Sequence, residues 1–152
     1  MSGKPLSKRQ IGHILHSETI KQILSLCGAL SFCRIWPNNT GTAMSHDALR
    51  FLRYGLKGSA DLTGILLGGR SLWIEVKTGK AKQNLHQVNF QQMIEDHGGL
   101  YIITGNQHNP NIDEFSMELM SEHKRHTYVT NEIEACAKLC AVETLNLLNE
   151  FK

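Results

Sequence analysis

The apolar positions along the chain change period several times, and each change predicts an element. Ile20, Ile23, Leu24 and Cys27 recur at helical spacing between Ser17, a good N-cap residue, and Gly28, a good stop. They predict a helix from about Ser17 to Cys27. Ile11, Ile14 and Leu15 share the spacing on a different face, so an earlier start with a break, or a two-sided helix, is the alternative. Residues 30–36 read as a strand ending at Pro37, residues 37–41 as a loop, and Leu49–Tyr54 as a strand after a polar stretch. Leu62–Leu67 and Ser71–Lys77 read as a hairpin around Gly68-Gly69. Phe90, Met93, Ile94 and His97 carry a helix from about Asn84 to His97, which Gly98-Gly99 stops. Leu100–Thr104 reads as a buried strand, and this strand–helix–strand passage predicts a parallel neighbour in the sheet. Beyond Gly105 the pattern predicts a short helix near Asp113–Glu122, a strand near Thr127–Thr130 and a C-terminal helix from about Asn131 to Asn149. Ile133, Ala137, Cys140 and Leu148 would let that last helix cover the core or meet a second copy.

Strand alternation puts Trp73, Glu75 and Lys77 on one face of the second hairpin strand and Leu72, Ile74 and Val76 on the other. A two-residue loop would set Asp61, Thr63 and Ile65 against the apolar face. A three-residue loop, Gly68-Gly69-Arg70, puts Leu62, Gly64 and Leu66 there instead and leaves one clean apolar face. That register places Asp61 opposite Lys77 and on the face of Glu75. A charged cluster at the end of a core strand is costly to bury unless it is compensated or used.

Composition narrows the class. A chain of 152 residues with 41% hydrophobic and 20% charged residues suits a single globular domain. No apolar run approaches a membrane span, and the N-terminus lacks the apolar core of a signal peptide, which points to the cytoplasm. Cys27, Cys33, Cys136 and Cys140 form no CxxC pair and read as reduced, buried thiols. The net charge of +2 conceals +8 over residues 1–82 and −6 over residues 83–152. Between residues 50 and 82, Arg50, Arg53, Lys57, Arg70, Lys77, Lys80 and Lys82 surround just two acids, Asp61 and Glu75. A basic field around isolated carboxylates suits a polyanion that meets a metal. The His13/His16 and His123/His126 pairs join no cysteine pair at zinc-finger spacing.

Lys57-Gly58-Ser59-Ala60-Asp61-Leu62, then Ile74-Glu75-Val76-Lys77-Thr78-Gly79, then Gln87 resembles the PD-(D/E)XK nucleases. More narrowly, the chain resembles the VRR-NUC family. The ordered elements are Glu18, Asn38-Asn39-Thr40-Gly41, Gly58–Asp61, Glu75–Lys77 and Gln87, spanning about residues 17–104. Ala60 stands where the family usually has Pro, and Asn84 where Ser is frequent. Residues 105–152 fall outside the resemblance, as a C-terminal helical extension of the same domain.

The resemblance implies an α/β fold, with a central mixed sheet flanked by helices and a restriction-endonuclease-like core ordered αβββαβ. It implies phosphodiester hydrolysis with Mg²⁺ or Mn²⁺ held by Asp61, Glu75, the Val76 carbonyl and Glu18. Lys77 and Gln87 would act on the attacking water or the phosphate. The alternatives are a structural ion-pair cluster for Asp61, Glu75 and Lys77, a dipole-favoured acid for Glu18, and a partly exposed helix residue for Gln87. Asn38, Asn39, Arg53, Lys57, Lys80 and Lys82 are candidate DNA contacts. Asn38 and Asn39 suit a turn equally well, and each cation alone suits a solvated surface. Family members that stand alone are associated with homodimers that cut branched DNA, including four-way (Holliday) junctions. Two other functions fit the same residues: a nuclease subunit directed by a partner protein, and a non-catalytic nucleic-acid-binding module.

Overall fold

The computed structural model of the protein describes residues 6–105, 110–112 and 120–152. It is α/β, with a five-stranded mixed sheet and helices. The chain divides into two compact units, one of residues 28–75 and 82–103, the other of residues 1–27, 76–81 and 104–152.

The first unit is built on the sheet. Its strands are β1 (Ala29–Leu30), β2 (Cys33–Pro37), β5 (Leu62–Leu66), β6 (Ser71–Val76) and β7 (Leu100–Thr104), ordered β1-β2-β5-β6-β7. The strand expected over residues 30–36 is instead a tight hairpin, because Leu30 pairs with Cys33 and the chain turns at Ser31-Phe32. β2 and β5 run antiparallel, as do β5 and β6. Helix α2 (Leu85–Asp96) then crosses over to β7, which lies beside β6 as expected.

The β5–β6 register corrects one expectation and keeps another. The turn has three residues, but they are Leu67-Gly68-Gly69: Leu66 accepts no slip, its amide bonding the Arg70 carbonyl at 2.9 Å. Leu62 therefore faces Ile74, and Gly64 faces Leu72. The expected apolar face survives, since a shift of two residues conserves facing. Leu62, Leu66, Leu72, Ile74 and Val76 are all buried. Extending the register by one residue sets Asp61 across from Glu75 rather than Lys77.

A separate two-stranded sheet, β3 (Gly41–Met44) with β4 (Phe51–Tyr54), lies between β2 and β5 in sequence. β3 occupies what reads as a polar stretch, because Gly41-Thr42-Ala43-Met44 has too few apolar residues to register as a strand. Apart from these additions, α1, β2, β5, β6, α2 and β7 follow the expected αβββαβ order.

The second unit is largely helical. α1 spans Lys8–Cys27, so it starts well before Ser17. Its N-terminus is a capping box. The Ser7 hydroxyl accepts the Gln10 amide at 3.3 Å and the Gln10 side chain accepts the Ser7 amide at 2.8 Å. One stripe of Leu15, Thr19, Ile23 and Cys27 is buried along it, and Thr19 satisfies its hydroxyl on the Leu15 carbonyl at 2.7 Å. The C-terminal helix, α3, spans Glu122–Asn149. The strand expected over Thr127–Thr130 lies inside it. Val129 is one turn before Ile133, and both pack with Leu15 and Cys136, so burial outweighs the β-branched propensity of that stretch. The helix expected near Asp113–Glu122 lies, as far as residue 119, outside the described residues. All four cysteines are buried thiols. Among the described residues no helix is long and apolar enough to cross a membrane.

Candidate active site

The site grows at one end of the β5–β6 pair, where β5 begins and β6 finishes. Asp61 immediately precedes β5 and is partly buried; Glu75 is the penultimate residue of β6 and only 2% exposed. Burying a carboxylate is expensive unless donors meet it. Gln87 supplies one, its side-chain amide donating to Glu75 Oε1 at 2.5 Å. Gln87 is itself held. It is the third residue of α2, where the Asn84 side chain accepts its amide at 3.1 Å and its own side-chain oxygen accepts the Asn84 amide at 3.0 Å. The reciprocal cap fixes the side chain of Gln87, and Gln87 orients Glu75.

α2 covers the Glu75 face of the sheet with aromatic packing. Trp73 meets Phe90 edge-on at 4.8 Å, and Phe90 meets Tyr101 at 6.4 Å. Ala60, Phe90, Ile94 and Tyr101 form the buried cluster there. Burial pushes the Tyr101 phenol well above its ordinary range, and the negative charges of Glu75 and Asp61 push it the same way. Tyr101 thus lies in the field of both carboxylates. Its only signal in the sequence is a lone tyrosine among Leu100, Ile102 and Ile103.

The approach to Asp61 is clamped. Asn38 donates its side-chain amide to the Ser59 hydroxyl and the Ala60 carbonyl, each at 2.8 Å, and its backbone amide to the Asp61 carbonyl at 2.9 Å. Its amide protons are therefore committed to the motif strand, whereas Asn39 is exposed. Gly58 adopts φ +81°, and a Cβ there would lie 2.4 Å from the His86 backbone, so only glycine lets this loop reach the start of α2. The glycine of the motif is thus explained by packing.

The amide of Lys77 donates to the Thr104 carbonyl at 2.8 Å, which extends the β6–β7 ladder one residue past Val76. The side chain of Lys77 is partly buried. Glu18 lies on α1, where Gln22 donates to one carboxylate oxygen at 2.9 Å and Lys21 pairs with the other at 3.5 Å. Both contacts are the local i+3 and i+4 partners of a helix surface. Arg53 and Lys57 are exposed and line a shallow pocket of about 230 Å³ with Thr40, Gly41, Tyr54 and Gly58. Lys80 and Lys82 are exposed in the loop before α2.

The structure thus joins Glu75 and Gln87 by a hydrogen bond, with Asp61 at the start of β5 in the same unit, and Asn38 braces the backbone that leads to Asp61. Among the described residues no group of three or more His, Cys, Asp or Glu side chains is arranged to hold a metal ion. No protein-family model matches the chain, and no curated protein matches it at a significant level.

Proposed function

We propose that the protein is a divalent-metal-dependent DNA endonuclease, structure-specific for branched DNA such as four-way junctions and acting as a homodimer in the cytoplasm. The support is the buried Glu75, oriented by Gln87, with Asp61 one residue before the Leu62–Ile74 pair and so across from Glu75 when that register is extended. Two carboxylates placed across from one another offer hard oxygen atoms that a divalent cation can bridge.

Asp61 and Glu75 are hard oxygen donors suited to Mg²⁺ or Mn²⁺, and the Val76 carbonyl is the third oxygen that the resemblance to VRR-NUC nucleases implies. When bound, the cation supplies Lewis-acid activation of water and neutralises charge developing on the phosphate. Gln87 keeps Glu75 in its rotamer. Lys77, two residues after Glu75, carries the positive charge for the phosphate in the transition state. Glu18 serves at most through water, since its carboxylate is already engaged on α1. Arg53, Lys57, Lys80 and Lys82 attract the sugar–phosphate backbone, with Asn39 beside them.

The test is incubation of the protein with a four-way junction, a flap and linear duplex, in Mg²⁺, Mn²⁺ or EDTA. Cleavage is expected with metal, is lost in EDTA and in Asp61→Ala and Lys77→Ala, and binding persists in both variants. Cutting that survives both substitutions would refute the site. Equal cutting of linear duplex would refute the preference for branches and leave the chemistry standing. A protein that binds these substrates and never cuts them is a binding module instead.

A further inference from the structure

The β3–β4 hairpin exposes side chains that a soluble surface normally hides. All four residues of β4 are exposed, with Phe51 78%, Leu52 50% and Tyr54 50% accessible, and Leu49 just before them is 81% accessible. An isolated two-stranded ribbon of this kind gains little stability from its own packing. Exposed apolar side chains on both of its faces mark a place where something binds.

The charge on the hairpin says what. From residue 38 to residue 60 the chain carries Arg50, Arg53 and Lys57 and a single acid, Asp47. Asp47 is turned into its own loop, where the Ser45 hydroxyl and the Leu49 amide donate to it. Cross-strand pairing puts Phe51, Met44, Arg53 and Thr42 on one face and Leu52, Ala43 and Tyr54 on the other. Cation and aromatic ring therefore share a face. At the base of the ribbon, Arg53, Tyr54 and Lys57 line the shallow pocket. The ring of Tyr54 lies close over Gly41, where a Cβ would come within 2.7 Å of its hydroxyl. A second copy of the chain would be served by the apolar residues alone. Guanidinium and ammonium groups interleaved with exposed rings fit a polyanion whose units also offer flat apolar faces.

We propose that the β3–β4 hairpin is an arm for unpaired nucleotides: Phe51 stacks on an exposed base, and Arg53 and Lys57 hold the adjoining phosphate at the pocket. The arm rests on the nuclease reading for its DNA and adds the way an unpaired base at a branch is told from a continuous duplex. Its pocket ends at Gly58, three residues before Asp61, so a strand held there enters by the motif loop.

Fluorescence anisotropy with EDTA present separates this from cleavage. The full-length protein is titrated onto a labelled single strand, a four-way junction with unpaired bases at its centre and a linear duplex. Phe51→Ala is expected to weaken binding to the first two by about tenfold and to leave the duplex unchanged, as loss of one stacked base does. Phe51→Trp restores binding. Arg53→Gln weakens all three and lowers the salt slope by about one. Leu67→Ala, which removes an equally exposed apolar side chain from the β5–β6 turn, changes nothing. Unchanged binding in Phe51→Ala overturns the arm, as does an equal loss on duplex. If Phe51→Ala instead halves the apparent mass in gel filtration with DNA binding intact, the surface belongs to a second copy and the proposal falls. Wild-type cleavage in Mg²⁺ alongside unaltered Phe51→Ala binding would reject the arm and keep the nuclease. Failure of the wild type to bind any of the three would reject both.

Discussion

Gln87 donates its side-chain amide to the buried carboxylate of Glu75 while accepting the Asn84 backbone amide through its side-chain oxygen. One residue therefore caps a helix and orients an acid, and the two roles can be separated. Glutamate is as good as glutamine at the third position of a capping box. Gln87→Glu keeps the cap and sets a second carboxylate against Glu75. We expect it to lose about 2 kcal/mol or more, no less than Gln87→Ala, although only the alanine variant gives up the cap. Urea unfolding at neutral pH measures both. A Gln87→Glu variant as stable as the wild type would mean that the Glu75 contact contributes nothing to the fold.

Two glycines with positive φ give opposite expectations. At Gly58 an added Cβ meets the His86 backbone at 2.4 Å, whereas at Gly68, φ +94°, nothing lies within 4 Å. Gly68→Ala should cost about 1–2 kcal/mol, the penalty of the left-handed backbone alone. Gly58→Ala adds a collision with main chain that cannot rotate away, and should cost about 3 kcal/mol or more. Thermal unfolding of the two variants gives the comparison, and equal losses would show that the loop can move off α2.

The shared facing of Glu75 and Trp73 was readable because burial on a strand has period two. Its register was not, since Gly68-Gly69 is compatible with loops shifted by two residues, and facing survives such a shift. Helix α2 was readable from Asn84, the Phe90/Ile94 stripe and Gly98-Gly99 together. The start of α1 was readable in principle from Ser7 and Gln10, but Ser17 offered a competing cap. The stretch Thr127–Thr130 misled because its β-branched residues favour a strand locally, and only the burial of Val129 beside Leu15 decides for the helix. The role of Asn38 depends on a partner 21 residues away, Ser59, which no local pattern reveals. Its loss should therefore hurt more than that of its neighbour. Asn38→Ala is expected to cost about 1–3 kcal/mol in urea unfolding, by leaving the Ala60 carbonyl without its donor, and Asn39→Ala close to nothing.

Alkaline pH should weaken the fold through groups that burial keeps protonated. Burial, then the charges of Glu75 and Asp61, raises the Tyr101 phenol above its ordinary value of 10.0. Burial raises the Cys140 thiol from 9.0 to about 11. In both, the native state holds the proton more tightly than the unfolded chain does. Their stabilisation is complete below the unfolded values and is lost as pH rises through the folded ones. Stability should therefore decline from about pH 9 through the thiol and more steeply above about pH 10 through the phenol. Tyr101→Phe keeps the ring and has no proton to lose, so its stability relative to the wild type should rise above pH 10. Urea midpoints from pH 8 to 11.5 test this, and parallel curves for the two proteins would exclude Tyr101 as a contributor.

Metal binding can be tested without DNA. A cation that binds Asp61 and Glu75 only in the folded state stabilises it by RT ln(1 + [M]/Kd), about 2.7 kcal/mol at a hundredfold excess over Kd. For a chain of this size that is a rise in Tm of roughly 5–10 °C. Mn²⁺ should produce such a rise in the wild type, reversed by EDTA. Glu75→Gln keeps an oxygen to accept from Gln87, so the fold should persist while the charge that holds the cation is gone. Asp61→Asn removes the charge just before β5. Both variants should show little or no rise. Glu18→Gln should keep most of it, because the Glu18 carboxylate is occupied by Lys21 and Gln22 on its own helix. A full Mn²⁺ response in Glu75→Gln would place the cation elsewhere. A response lost in Glu18→Gln would make that residue a ligand and require it to give up its helix partners on binding.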